Sequence, residues 1–90
     1  MIEEILEQVH ELNPKALSMD GYDDCVLGIM HRFGMEPLLA YDMGKIIEKN
    51  MADGMTHEEA VEFFEYNQIG AWMGEGTPVF VDLSLSGESK

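Results

Sequence analysis

The chain has 90 residues, of which 46% are hydrophobic and 26% are charged, as expected for one globular domain and not for a disordered segment. Its 18 acidic and 5 basic residues give a formal net charge of −13. This charge argues against direct binding to nucleic acid or to an anionic membrane, because both need clustered cations. The sequence has neither a membrane-length apolar run nor a signal-peptide pattern, and its single cysteine excludes an internal disulfide. We therefore expect a cytoplasmic protein.

The first predicted element is an amphipathic helix over residues 1–12, which Asn13-Pro14 ends because the residue before a proline avoids helical geometry. Its apolar side chains fall on one stripe at the helical period: Ile2, Ile5, Leu6, Val9 and Leu12. So short a helix is marginal in water and must dock on something. The sequence leaves open whether residues 1–18 pack on their own domain, as an accessory segment, or on a second copy.

A β-hairpin is predicted next, after a turn-rich connection at residues 18–24. Residues 25–33 alternate in polarity and are expected to form a strand with one strongly apolar face. Residues 34–37 would be the hairpin loop, and residues 38–41 the returning strand.

Two helices with clear start signals follow. Asp42 is a favourable N-cap for a helix over residues 43–52. Thr56 and Glu59 have the spacing of a capping box, which predicts a second helix to about residue 67. The expected buried side of this helix comprises Ala60, Val61, Phe63 and Phe64.

The C-terminal part is predicted as a glycine-rich loop at residues 69–78, a short strand at 79–83 and a flexible tail at 84–90. The whole order is α-β-β-α-α-β. We expect a single α+β domain, in which two or three helices pack on one face of a small three-stranded antiparallel sheet.

The most specific candidate site is an acidic helix face. Glu58, Glu62 and Glu65 follow one another at i, i+4 and i+7, with Glu59 beside them. Four residues rise about 6 Å along a helix, a spacing near that of successive phosphates on one nucleic-acid strand. No Lys or Arg occurs from residue 50 to residue 89. We add Trp72 and Glu75, in the glycine-rich loop, to this candidate partner-binding set.

The sequence patterns that could indicate catalysis or metal binding are weaker. Asp20, Asp23 and Asp24 could offer oxygen ligands to a divalent cation, but their spacing is not that of an EF-hand. His57 begins a zinc-protease-like helix motif whose second histidine position is occupied by Val61. We expect no catalytic residue, metal or cofactor, and interpret Cys25 as a small buried hydrophobe.

Residues 20–24 (DGYDD), 40–42 (AYD), 55–67 (MTHEEAVEFFEYN) and 70–80 (GAWMGEGTPVF) resemble a set of small, acidic, uncharacterised proteins of tailed bacteriophages. The likeness spans about residues 19–82. It implies a phage or prophage origin and the cytoplasm of an infected bacterium, and it supplies no activity. Because small acidic phage proteins often bind a host protein, it favours inhibition of a host defence or nucleic-acid enzyme.

Three functional hypotheses result. The first is a non-enzymatic inhibitor, with a homo-oligomer expected, whose acidic face binds a basic host protein as a nucleic-acid mimic. The second is a binder of a small nucleotide or metabolite at a subunit seam near Trp72 and Tyr41, with an anionic ligand held by Arg32, Lys45 or Lys49. The third is a small metal-dependent enzyme using the acids at residues 20–24.

Overall fold

A computed structural model describes residues 2–68 and 74–83 of the chain. Its elements are α1 (Ile2–Leu12), β1 (Val26–Arg32), β2 (Met35–Asp42), α2 (Met43–Ala52), α3 (His57–Phe63) and β3 (Val79–Val81). A 3-10 turn, Asp23–Cys25, precedes β1, and a π-helical turn, Phe64–Gln68, extends α3. The predicted α+β class and the element order are confirmed. The predicted tail at residues 84–90 lies outside the described residues.

The sheet has the order β1-β2-β3 and is mixed, not purely antiparallel. β1 and β2 pair antiparallel, whereas β3 pairs parallel to β2, with Ala40 opposite Val79 and Asp42 opposite Val81. The reason is the connection between β2 and β3. It contains α2 and α3, and a connection of that length can bring the chain back to the end at which β2 begins, which a parallel strand requires.

The β1–β2 hairpin differs in detail from the prediction. The turn lies at Phe33-Gly34, and Glu36 and Pro37 belong to β2. Pairing shifts between Val26 and Gly28, so the intervening residue breaks the simple alternation, as in a β-bulge. The expected apolar face is therefore only partly buried: Cys25 is enclosed, but Leu27 and Phe33 are exposed.

One core joins all three helices to the sheet. Leu39 and Tyr41 of β2 share a side of the strand and pack with Val9 of α1, Ile46 of α2 and Phe64 beyond α3. The helix over residues 2–12 thus packs within this chain. This agrees with the expectation that helices cover one face of the sheet.

Polar contacts fasten the segment after α1 to the rest of the fold. The buried Asn13 donates from Nδ2 to the carbonyl oxygen of Pro37 at 2.9 Å. The amide of Met19 donates to the hydroxyl oxygen of Tyr41 at 2.7 Å, and the amide of Leu17 donates to the carbonyl oxygen of Gly76 at 2.9 Å. These bonds hold residues 13–19 against both β2 and the loop that leads to β3.

Candidate functional site

The start of α3 is fixed by a reciprocal cap. The Thr56 hydroxyl accepts the Glu59 amide at 3.1 Å, and the Glu59 carboxylate accepts the Thr56 amide at 2.9 Å. The predicted capping box is therefore confirmed. Of the four candidate glutamates, Glu59 has a structural role at the helix start, where a negative charge also suits the helix dipole.

The buried side of α3 orients the acidic face outward. Ala60 and Phe64 are enclosed in the core, as predicted. Phe80 of β3 meets the Phe64 ring edge-on at 5.1 Å between centroids, which fastens the end of the helix to the sheet. The predicted burial of Phe63 is wrong. Adjacent residues are about 100° apart around a helix axis, so Phe63 lies on the flank of the side that buries Phe64. The Phe63 side chain is 36% exposed.

Glu58, Glu62 and Glu65 are all exposed on or just beyond α3. No Lys, Arg or His nitrogen within the described parts of the chain comes within 4.0 Å of their carboxylates. The single ion pair found there joins Lys49 to Asp24 at 3.4 Å. The three charges are therefore free to attract a cationic partner.

Two aromatic side chains lie among these acids. Tyr66, in the π-helical turn, is 78% exposed, and Phe63 is next to it in space. Together with Glu59 and Glu62 they line a shallow depression of about 450 Å³. We define the acidic-aromatic face as Glu58, Glu62, Phe63, Glu65 and Tyr66.

Sequence reasoning missed Phe63 and Tyr66 as functional candidates. Tyr66 is four residues after Glu62, so the helical period does place it on the acidic side. Phe63 gave no such signal, because two consecutive phenylalanines do not reveal which one faces the core.

Of the other two predicted partner-binding residues, Glu75 is described by the structure and is not part of this face. Glu75 is exposed and lines a separate groove with Lys15 and Arg32. Trp72 lies outside the described residues. The roles predicted for Glu75 and Trp72 in partner binding stay predictions.

The acids of the turn at residues 20–24 do not gather into one cluster of three ligand side chains. No group of three His, Cys, Asp or Glu side chains that could hold a metal occurs in the ranges 2–68 and 74–83, which include Asp20, Asp23 and Asp24. Asp24 instead pairs with Lys49. The metal-dependent hypothesis stays a prediction.

The cysteine and the core tyrosine are both unsuited to react. Burial, reinforced by the neighbouring Asp24 carboxylate, raises the pKa of the Cys25 thiol to about 11, and a protonated thiol is a poor nucleophile. Tyr41 is fully enclosed, and burial raises the pKa of its hydroxyl. A ligand near Tyr41 would find no accessible atom of that side chain to contact.

No helix in the described ranges is both long and apolar enough to cross a membrane. Comparisons with protein-family models, with curated proteins and with solved structures found no match.

Proposed function

We propose that the chain is a non-enzymatic binding protein that inhibits or modulates a host protein by docking the acidic-aromatic face onto a basic surface. The observation that supports this most is the exposure of Glu58, Glu62 and Glu65 without a cationic neighbour in the described parts of the chain, beside the exposed Tyr66. Glu58 also lies in the first turn of α3, where its charge suits the helix dipole.

The two components of the face have different physical roles in docking. A net charge of −13 steers association with a cationic partner and raises the on-rate, more than it raises the affinity. Exposed aromatic rings supply affinity, since they bury a large area at a small cost in conformational entropy and are enriched among hot spots. A shallow depression with both features fits a protein surface better than a small substrate.

The partner we propose is a protein with a basic groove, such as a host defence factor or a nucleic-acid-processing enzyme. Glu58 and Glu62 are one helical turn apart, about 6 Å along the axis, so the face can place successive negative charges where such a groove expects phosphates. The phage origin and bacterial host that the sequence resemblance implies belong to this proposal. So does a homo-oligomer, which would add buried area to a small chain.

Affinity capture tests the proposal. The tagged protein is incubated with lysate of a bacterial host, and bound proteins are identified by mass spectrometry. A variant with Glu58, Glu62 and Glu65 changed to Gln should lose the captured partner, because three of its attractive charges are gone.

The matched control carries the same charge change elsewhere. Glu3, Glu4 and Glu7 are exposed on α1, and their triple change to Gln should leave capture near the wild-type level. Equal loss in both variants would mean that only total charge matters, and this result would contradict a dedicated face on α3.

A further inference from the structure

A second surface feature is a groove between the β1–β2 hairpin and the turn at residues 74–77. It has a volume of about 630 Å³, and Lys15, Arg32, Glu36 and Glu75 line it. It shares no lining residue with the depression on α3. We refer to it as the hairpin groove.

The hairpin groove brings charges of both signs together, two basic side chains and two acidic ones. The chain has 5 basic residues, and Lys15 and Arg32 both line this groove. In the described parts of the chain, no carboxylate oxygen lies within 4.0 Å of either cation. Both charges are therefore available to an anionic group that enters from solvent.

Arg32 is held in place but not neutralised. Its Nη2 donates to the carbonyl oxygen of Glu36 at 2.9 Å, which fixes the guanidinium across the hairpin. Its Nε is buried and has no acceptor. The guanidinium is thus already positioned, and its terminal nitrogens, not the buried Nε, are the groups that would bind a carboxylate from solvent.

The opposite wall is rigid because of backbone contacts. Gly76 is packed against the backbone of Lys15, and its carbonyl oxygen accepts the Leu17 amide at 2.9 Å. The turn is closed by Thr77, whose amide donates to the carbonyl oxygen of Gly74 at 3.1 Å. These contacts fix the backbone that carries Glu75, and the Glu75 side chain is exposed on the groove.

An apolar cavity adjoins the charged groove. It has a volume of about 440 Å³ and includes Leu38, Pro78 and Val79 in its lining. Arg32, Met35 and Glu75 line both spaces, so the two lie side by side. A charged end beside an apolar end is the usual arrangement of a small-molecule site, in which a few polar groups orient an otherwise apolar ligand.

We propose that this composite site binds a free α-amino acid with an apolar side chain. The carboxylate pairs with Arg32 and Lys15, the ammonium group pairs with Glu75, and the side chain enters the cavity beside Leu38 and Val79. The two glutamates of the groove disfavour a phosphate dianion, since their charge would repel it, whereas a zwitterion uses charges of both signs. The site is independent of the acidic-aromatic face and of its proposed partner.

Titration calorimetry of the full chain with leucine and with phenylalanine tests this inference. Saturable binding is expected for both. Leucinamide lacks the carboxylate and N-acetylleucine lacks the ammonium group, so each should bind at least tenfold more weakly than leucine. Inorganic phosphate should give no saturable heat.

Variants assign the binding to the groove. Lys15→Gln, at an exposed position, should weaken leucine binding about fivefold or more, and Arg32→Gln should weaken it further. Lys45→Gln removes an exposed cation from α2, outside the groove, and should have no effect. If Arg32→Gln lowers the melting temperature, Lys15→Gln and Glu75→Gln test the site without disturbing the hairpin.

Three results would overturn the inference. The first is the absence of saturable heat with any apolar amino acid at millimolar concentration. The second is equal binding of leucine and inorganic phosphate. The third is that the Lys15→Gln and Glu75→Gln variants bind leucine with the same affinity as the control variant Lys45→Gln.

Discussion

Gly76 lies against the carbonyl group of Lys15 so closely that no side chain fits at position 76. A Cβ built there would be 2.9 Å from the Lys15 carbonyl carbon and nearer still to its oxygen. This approach joins the segment after α1 to the loop before β3. Lys15 and Gly76, which are far apart in the sequence, therefore lie side by side in the lining of the hairpin groove.

Gly76→Ala should therefore destabilise the fold. The added methyl group meets backbone, which cannot rotate away, and overpacking of this kind costs about 1–3 kcal/mol. Urea unfolding followed by circular dichroism measures the loss. Gly44→Ala is the control: its nearest neighbour would be Asp42 Oδ1 at 3.4 Å, and alanine in a helix should be neutral or stabilising by up to about 1 kcal/mol. Equal effects of the two substitutions would contradict the proposed close approach.

Thr56→Ala should weaken α3 at its start. It removes the hydroxyl that accepts the Glu59 amide, and the loss of such an N-cap typically costs about 0.5–2 kcal/mol. Thr56→Ser keeps the hydroxyl and should retain most of the stability. Because the acidic-aromatic face is carried by α3, Thr56→Ala should also reduce partner capture more than Thr56→Ser does. A serine variant as unstable as the alanine variant would argue against the cap.

Tyr22→Phe should cost about 1–3 kcal/mol of unfolding free energy. The Tyr22 hydroxyl donates to Oδ1 of Asn50 at 2.7 Å, and Asn50 is only 1% exposed. Removing the donor leaves a buried acceptor with one partner fewer, which is more costly than the bond itself is favourable. Tyr66→Phe removes a hydroxyl from a side chain that is 78% exposed, and thermal unfolding should show almost no change for it. A Tyr22→Phe variant of wild-type stability would disprove this account of the Tyr22–Asn50 contact.

Cys25 should resist thiol reagents in the native protein. Its pKa is raised to about 11 from an ordinary value of 9.0, so at pH 8 almost no thiolate is present. Iodoacetamide at pH 8 should label the unfolded chain at least tenfold faster than the folded one. Rapid labelling without denaturant would contradict the burial of this thiol.

The same shift in the pKa of Cys25 predicts a fall in stability in alkali. The unfolded thiol loses its proton near pH 9.0, while the folded thiol keeps it until about pH 11. The unfolded state therefore binds fewer protons across this interval, and stability must decrease as pH rises through it. Denaturant titrations at pH 8, 9 and 10 should show this decrease, and Cys25→Ala should reduce it.

Local signals predicted local structure well. The caps at Asp42 and Thr56 depend on hydrogen bonds to residues three positions ahead, so a few adjacent letters of the sequence are enough to identify them. The helical stripe of α1 was predicted in part: Val9 is buried as the period indicates, but Leu12 at the end of the helix is exposed.

The sequence could not predict the contacts between segments that are far apart in the chain. The parallel pairing of β3 depends on how far α2 and α3 carry the chain. The hairpin groove depends on Lys15, Arg32 and Glu75 meeting in space, although no short motif contains two of them. The choice between Phe63 and Phe64 for the core likewise depends on the position of Phe80 in β3.

The central claim is that the acidic-aromatic face binds the partner, and it can be measured once the captured partner has been purified. Each exposed charge pair contributes about 0.2–1 kcal/mol, so the triple Gln change at Glu58, Glu62 and Glu65 should raise the Kd about tenfold at low salt. Phe63→Ala with Tyr66→Ala should raise the Kd further by lowering the lifetime of the complex. The most direct measurement is therefore the Kd, determined by calorimetry, for two variants. The α3 variant has Glu58, Glu62 and Glu65 changed to Gln, and the α1 variant has Glu3, Glu4 and Glu7 changed to Gln. We expect about tenfold weakening for α3 and less than about twofold for α1; equal Kd values for the two variants would contradict the claim.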